Sequence, residues 1–470
     1  MKTIITSFAL VFAINAFSQS EAPGILWNKD FESSSSDFNS DEIIQLQDSN
    51  FLVLGNVFVD GIVSPELSKL SPTGTVLWQK QYANVAGYYA FGLKADSSGN
   101  IFLLYEGSEG VEDRIGKLNS NGEQQWLKSI SVESYPTYIY GINVLSDNSL
   151  LVCGTYEMGE TSGGYFYAKY DSNGNQTWIM KKSFTGFPIA YIGNVMPHSD
   201  GGVIVSGGSF DADYSEAGYI AKYDSQRNLV WEKYLDYASS EDTYIQNSII
   251  SANNDIVVFG NYYIDDNETS FVTKINSAGN EVWRKTFTYN DYNVNLSKII
   301  EFSPNEYTIA TELSSLTDNG STANIKKLTS DGNIAWEHSY DNEIFNGLVN
   351  FSDIIKTNDN NLMLLTKKYM DEAMITSKYS LYKMGGSLAV KDVAQTKVTI
   401  YPNPTSDFIN IKLEEKENLN QLEIFDLSGK LIKTYENPTK SISVKDLAKG
   451  SYLIKLYFGN QIITQKIIKN

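Results

Sequence analysis

The sequence predicts an all-β chain: a seven-bladed β-propeller closed by pairing of its N- and C-terminal strands, then a small Ig-like β-sandwich. Three observations carry this expectation. All seven tryptophans (Trp27, Trp78, Trp126, Trp178, Trp231, Trp283 and Trp336) stand 51, 48, 52, 53, 52 and 53 residues apart, which is a repeat and not a matter of composition. Each interval reads as two hairpins, hence four strands, the make-up of a propeller blade. The ends of the array are complementary, since the first Trp strand has no inner strands and the last unit has no Trp strand.

Residues 1–18 read as a signal peptide: Lys2, an apolar run from Ile4 to Phe17 and the small-residue ending Ala16-Phe17-Ser18, with cleavage expected before Gln19. No cysteine follows that point, so no lipid anchor is expected there, and no later stretch reaches the roughly 18 apolar residues of a membrane-spanning helix.

The propeller is expected over residues 25–384. Upstream of six of the tryptophans a strand ends in Lys and an apolar residue: Lys69-Leu70, Lys117-Leu118, Lys169-Tyr170, Lys222-Tyr223, Lys274-Ile275 and Lys327-Leu328, with Lys383-Met384 as a seventh that lacks its Trp. Turns such as Ser71-Pro72-Thr73-Gly74 and Asp171-Ser172-Asn173-Gly174 follow, rich in residues that accept the positive φ of tight hairpins. A second hairpin precedes each, as in Ile142–Leu145 with Leu150–Cys153. Pairing residues 25–31 with the strand around Tyr379–Met384 completes the seventh blade and removes two open sheet edges. The recurring Trp is expected to fill the space between adjacent blades, and Cys153, inside an apolar run, to be a buried small hydrophobe. In strand, Gly-containing turn and Trp, residues 25–384 resemble the quinoprotein-like propeller repeat. The enzymes of that group use a quinone, a disulfide of adjacent cysteines and calcium, and a lone cysteine departs from that pattern. The stretch Asp171–Trp178 also resembles the sialidase Asp-box, with one residue too many between Gly174 and Trp178. Neither enzyme family is expected.

After Met384 comes a small-residue linker, 385–396, and the charge changes. Residues 390–470 hold 12 Lys against 9 Asp and Glu; taking that +3 and the +1 of Lys2 from the −19 of the whole leaves −23 on residues 19–389. A body so acidic repels phosphate backbones, which excludes nucleic acid as a partner class. Residues 397–470 carry four motifs in order: Pro402-Asn403-Pro404 after a strand, the Ser428-Gly429 turn, Gly450-Ser451-Tyr452 opening a strand of alternating pattern, and a terminal strand with Lys466. Together they resemble the type IX secretion C-terminal sorting domain, type A. That resemblance implies passage across the outer membrane of a Gram-negative bacterium, the secretion machinery as partner, a destination outside the cell or on its outer surface, and removal of the tail by cleavage within 385–397.

Function is expected on the propeller face that carries the long loops, since a rigid scaffold there presents variable residues. Its residues are acidic and aromatic: Glu106, Glu109, Glu112 and Asp113; Asp211, Asp213, Tyr214 and Glu216; Tyr262, Tyr263, Asp265, Asp266 and Glu268. The strands entering the channel bring Tyr140, Tyr191 and Tyr244 with Asn143, Asn194 and Asn247, a set suited to stacking on and hydrogen-bonding a sugar. A non-catalytic binding protein for glycan or protein ligands is the leading reading, with a glycoside-cleaving enzyme or a structural or adhesive surface component as alternatives. Acidic loops could also hold Ca²⁺, although no cofactor and no metal site is predicted. His198 and His338 are the only histidines, and no metal-ligand spacing is present.

Overall fold

In a computed structural model of the protein the described residues are 22–32, 42–59, 62–85, 87–107, 112–159, 162–237, 242–264, 267–289, 292–315, 321–340, 349–369, 377–385, 398–413, 419–426, 430–436, 438–458 and 461–470. The signal peptide and, from residue 386 on, the linker and the tail cleavage region lie outside them, while Gly385 ends a strand. The described residues fall into two compact units, within 1–389 and 390–470.

The first unit is a seven-bladed β-propeller. Seven four-stranded antiparallel sheets follow one another along the chain, six of them in sequence order. Their innermost strands are Glu42–Gln45, Tyr89–Ala95, Thr137–Val144, Ile189–Pro197, Thr243–Ile250, Tyr292–Ser303 and Val349–Lys356. Each touches the next, and Val349–Lys356 returns to Glu42–Gln45, so the ring is closed. The outermost strand of blade seven is Gly24–Glu32, which pairs with Ser377–Gly385 in the register Ile25↔Met384 to Phe31↔Tyr379. The predicted closure between chain ends is therefore present.

Packing explains why no blade stands alone. Among the described residues every apolar cluster of this unit is shared by two neighbouring blades. Leu52, Leu54 and Leu67 of blade one meet Leu93, Leu103 and Tyr105 of blade two. At the closure Ile43, Phe51 and Leu70 meet Met363, Leu365 and Leu381, with Trp27 against them. Each fully buried side chain of this size stabilises by roughly 1.5–3 kcal/mol, available only once the neighbouring blade is in place.

The outer hairpins of blades one to six, and the inner hairpins of every blade but the sixth, use the same five-residue turn. In the outer one, Ser71 N–H donates to Thr75 O at 2.8 Å, Gly74 N–H to Ser71 O at 2.9 Å, and Gly74 takes φ +78°. In the inner one, Leu46 N–H donates to Asn50 O at 2.8 Å, Ser49 N–H to Leu46 O at 3.0 Å, and Ser49 takes φ +64°. The left-handed position is Ser, Asn or Gly in inner turns yet is Gly in five of six outer turns, and the tryptophans give the reason. A Cβ on Gly122 would lie 2.8 Å from the Trp78 ring of the preceding blade, on Gly279 2.9 Å from Trp231, and on Gly332 2.8 Å from Trp283. In blade four the position is Arg227, at φ +71°, and its guanidinium lies 4.9 Å from the Trp178 ring centre instead.

Each Trp packs against the apolar cluster shared by two neighbouring blades, as expected, but six of the seven are only half-buried and also lie on the outer turn of the following blade; Trp336 alone is buried. Trp231 and Trp283 also donate their indole N–H to turn carbonyls of Ser277 and Ser330 at 3.1 and 2.8 Å. The repeated Lys is likewise explained by a partner in the neighbouring inner turn: Lys69 with Asp48, Lys169 with Asp147, Lys222 with Asp200, Lys274 with Asp255, Lys327 with Glu306 and Lys383 with Asp359.

The second unit is a β-sandwich of seven strands. One sheet holds Val398–Tyr401, Phe408–Leu413 and Ser441–Ser443; the other holds Leu431–Glu436, Gln421–Asp426, Gly450–Phe458 and Gln461–Lys469 in that order. Ile400, Ile409, Ile411, Leu422, Ile424 and Ile454 form its core. Pro402 and Pro404 follow an edge strand, where a missing N–H leaves no ladder incomplete. Asn403 accepts the Ile468 N–H at 2.9 Å, and Tyr452 donates to Ala448 O at 2.9 Å, so the motif residues tie turns to strands. Gly429 and the side chain of Lys466 lie outside the described residues.

Candidate binding site in the central channel

The innermost strands enclose a cavity of about 790 Å³ along the propeller axis, lined by residues of all seven blades. Its shape depends on irregularities in those strands. Bulges interrupt the pairing between Phe91 and Lys94, Ile139 and Gly141, Ile192 and Asn194, Ile245 and Asn247, Val294 and Leu296, and Phe351 and Asp353. The extra residues Gly92, Tyr140, Gly193, Gln246 and Ser352 line the cavity. A bulge re-aims side chains that a regular strand would send to the sheet faces.

Opposite the fourth residue of each second strand, or the fifth in blade six, stands one channel residue per blade: Glu42, Phe91, Gly141, Asn194, Asn247, Lys298 and Asp353. These groups also join the blades. Glu42 accepts the N–H of Gly92 and of Leu93 in the next blade. Asn194 donates to Ser248 O and Oγ, each at 3.1 Å, and Asn143 to Val195 O at 3.4 Å. Asp353, buried, accepts from Lys298 of blade six, from Ile43 N–H of blade one at 3.0 Å and from Ile354 N–H at 2.7 Å.

Of the residues singled out from sequence, Tyr140, Asn143, Tyr191, Asn194 and Asn247 line this one cavity, and Tyr244 does not. The tyrosines lie at the start of the innermost strands of blades three, four and five. Tyr191 donates to Glu216, and Tyr244 donates to Asp242 at 2.7 Å. Burial raises all three phenol pKa values, so they stay protonated, and the neighbouring carboxylates reinforce the effect at Tyr191 and Tyr244. The Tyr191 ring stacks on Phe210, with centroids 5.8 Å apart. Tyr140 is the most open of the three at 44% exposure.

The acidic residues divide differently from expectation. Asp113 is buried and accepts Ile139 N–H at 2.8 Å and Gly107 N–H at 3.0 Å, binding blade two to blade three. Asp242 accepts the Glu216 N–H at 2.7 Å. Asp211 spends its carboxylate on its own turn, at Asp213 and Ser215 N–H. Tyr262 packs into the core between blades four and five, and Tyr263 lies edge-on to Tyr244 at 6.2 Å. Glu112 is exposed, and Tyr214, 69% exposed, meets Phe187 edge-on. Glu106, Asp113 and Glu216 all titrate above the ordinary carboxylate range, first because of burial and, for Glu106 and Glu216, also because of the charge of Asp113 or Asp242. Glu109, Asp265, Asp266 and the side chain of Glu268 lie outside the described residues.

Both histidines are structural. His198 meets Asp200 at 2.9 Å beside Lys222, and His338 lies edge-on to Tyr340 at 4.4 Å. Cys153 is buried, and desolvation pushes its thiol pKa well up, away from reactivity. Among the described residues no group of three or more His, Cys, Asp or Glu is placed to hold a metal ion, and no helix is long and apolar enough to cross a membrane. Sequence reasoning missed Glu42, Lys94, Lys298 and Asp353, the charged residues of the channel.

Comparison with known proteins identifies the tail. Residues 399–470 match the family described as the secretion system C-terminal sorting domain. The chain therefore carries a type IX sorting domain and is exported, to be released or held at the outer surface of a Gram-negative bacterium. No curated protein matches the chain. Among solved structures, an ulvan lyase of a polysaccharide lyase family is 11% identical, with 77% of this chain and 96% of that one covered at a TM-score of 0.49. The β-propeller domain of the trilobed protease from Pyrococcus furiosus is 11% identical over 77% and 99%, at 0.45. An acylaminoacyl peptidase from Pyrococcus horikoshii is 12% identical over 81% and 59%, at 0.44.

Proposed function

We propose that this exported propeller is a non-catalytic binding protein that takes a glycan at the mouth of its central channel. The observation that carries the reading is the run of Tyr140, Tyr191 and Tyr244 on successive blades, Tyr191 and Tyr244 with their hydroxyls held internally and Tyr140 44% exposed, which suits rings that stack on sugars. Asn143, Asn194 and Asn247, on the same three blades, line the cavity as well. Binding is favoured over hydrolysis because glycoside cleavage needs two carboxyl groups free to act across the bond. Here Asp113 and Asp242 are committed to backbone N–H groups and Glu216 to Tyr191.

The test is affinity electrophoresis of the full mature chain through gels containing a panel of polysaccharides. Wild type is expected to be retarded by at least one polymer, and Tyr140→Ala to lose about tenfold in affinity, the scale of one aromatic contact. Free migration of wild type in every gel would remove the glycan reading and turn the search to protein ligands.

A further inference from the structure

Lys94 is out of place in the repeat. It pairs with Phe102, the second residue of its neighbouring strand, and the residues at that register in the other blades are Ile44, Asn143, Met196, Ile249, Ile300 and Ile355. Five of six are apolar. Ile44, Ile249 and Ile355 pack against the clusters between blades, so the fold at this level asks for an aliphatic side chain. Lys94 is half-buried and lines the cavity. Its ammonium donates to the carbonyl of the adjacent Leu93 at 3.2 Å, and among the described residues no carboxylate lies within salt-bridge distance of it. The other charged groups of the channel are committed. Lys298 and Asp353 pair with each other, and Glu42 is held by two backbone N–H groups. A half-buried ammonium without a counter-ion is disfavoured on its own account, so a supplied anion would relieve it.

We infer that Lys94 determines specificity in the channel by binding the carboxylate of an acidic sugar on the glycan that the tyrosine mouth receives. The inference rests on the glycan reading and adds to it the charge of the ligand. Such a ligand passes an acidic mouth before it reaches Lys94, so its association is expected to quicken with added salt even though the bound contact is ionic.

The experiment compares oligogalacturonate with its methyl ester, which keeps rings and hydroxyls and removes only the charge, by calorimetry on the full mature chain. Wild type is expected to bind the acid about tenfold more tightly than the ester. Lys94→Met, which copies Met196 at the same register, is expected to erase that difference by weakening the acid alone, while Lys94→Arg keeps it. Lys94→Gln serves as a second neutral variant should the first unfold early, which thermal melting reports. Equal affinity of wild type for acid and ester, or equal loss of both in Lys94→Met, overturns the role of Lys94 and leaves the tyrosine platform standing. Binding of neither by wild type overturns the uronate assignment, whereas the glycan reading itself falls only with free migration through the whole polysaccharide panel. A sulfated neutral oligosaccharide forms a third arm: if it binds as well as the uronate and depends equally on Lys94, the carboxylate assignment is wrong and the site takes any anion.

Discussion

Two glycines separate backbone need from empty space. Gly332 sits at φ +74°, with the place of a Cβ only 2.8 Å from the Trp283 ring, whereas the place of a Cβ on Gly193 has nothing within 4 Å. Gly332→Ala is expected to cost about 1–3 kcal/mol, through left-handed strain and displacement of the indole. Gly193→Ala is expected to be nearly neutral. Urea unfolding midpoints check both, and equal effects would show that the tryptophan contact is not what demands glycine. The turn glycines were visible in sequence as hairpin chemistry, but their second reason was not, because it comes from a residue about 45–50 positions earlier, in the blade before. Lys94 was missed for a related cause. Lining up the units by their inner turns would have set it against isoleucines, a comparison that the tryptophans, lying on the outermost strand, do not make.

At the level of the hairpin, the repeated Lys and its turn carboxylate form one electrostatic device. The Ser149 hydroxyl and then Lys169 hold Asp147 down to about 2. Asp48 and Asp200 are also lowered: burial acts against this, and hydrogen bonds from Asn50 and Lys69, or from Lys222 and Gly202, outweigh it. A carboxyl depressed in the folded state contributes stability that is complete above its unfolded pKa, near 4, and is lost as pH falls through the folded value. The urea midpoint is therefore expected to decline from pH 5 to pH 2, and the decline to be shallower in Asp147→Asn. Glu106, Asp113 and Glu216, whose pKa values are raised, work in the opposite direction and limit the fall. A midpoint that does not move over that range would show the turn pairs to be without effect. The hairpins themselves were legible because turn residues mark them directly. The bulges that place Tyr140, Gly193 and Gln246 in the channel carry no such mark, so only the tyrosines and asparagines of the channel were anticipated, not its four charged residues.

Over the whole molecule the tryptophan period was enough to reveal seven blades, since a repeat that buries its surface only against its neighbours has to keep one length. The unmatched ends revealed the closure. Residues 22–32 supply Ile25 and Trp27 to the clusters flanking blade seven, each worth roughly 1–2 kcal/mol at half burial. Deleting residues 22–32 is expected to expose the Ser377–Gly385 edge and to yield soluble oligomers by sedimentation, and adding a peptide of the deleted sequence to restore the monomer. A monomeric deletion variant with unchanged unfolding would show that the ring closes without its clasp. The closure also has a mechanical consequence. Gly24 lies opposite Gly385, so the chain enters and leaves the propeller at the same end of one antiparallel ladder. Tension applied between those two points loads the hydrogen bonds one after another, as a zip is drawn, and not all at once in shear. The ring held by seven shared interfaces should thus yield to a modest pull on its ends, opening first at blade seven.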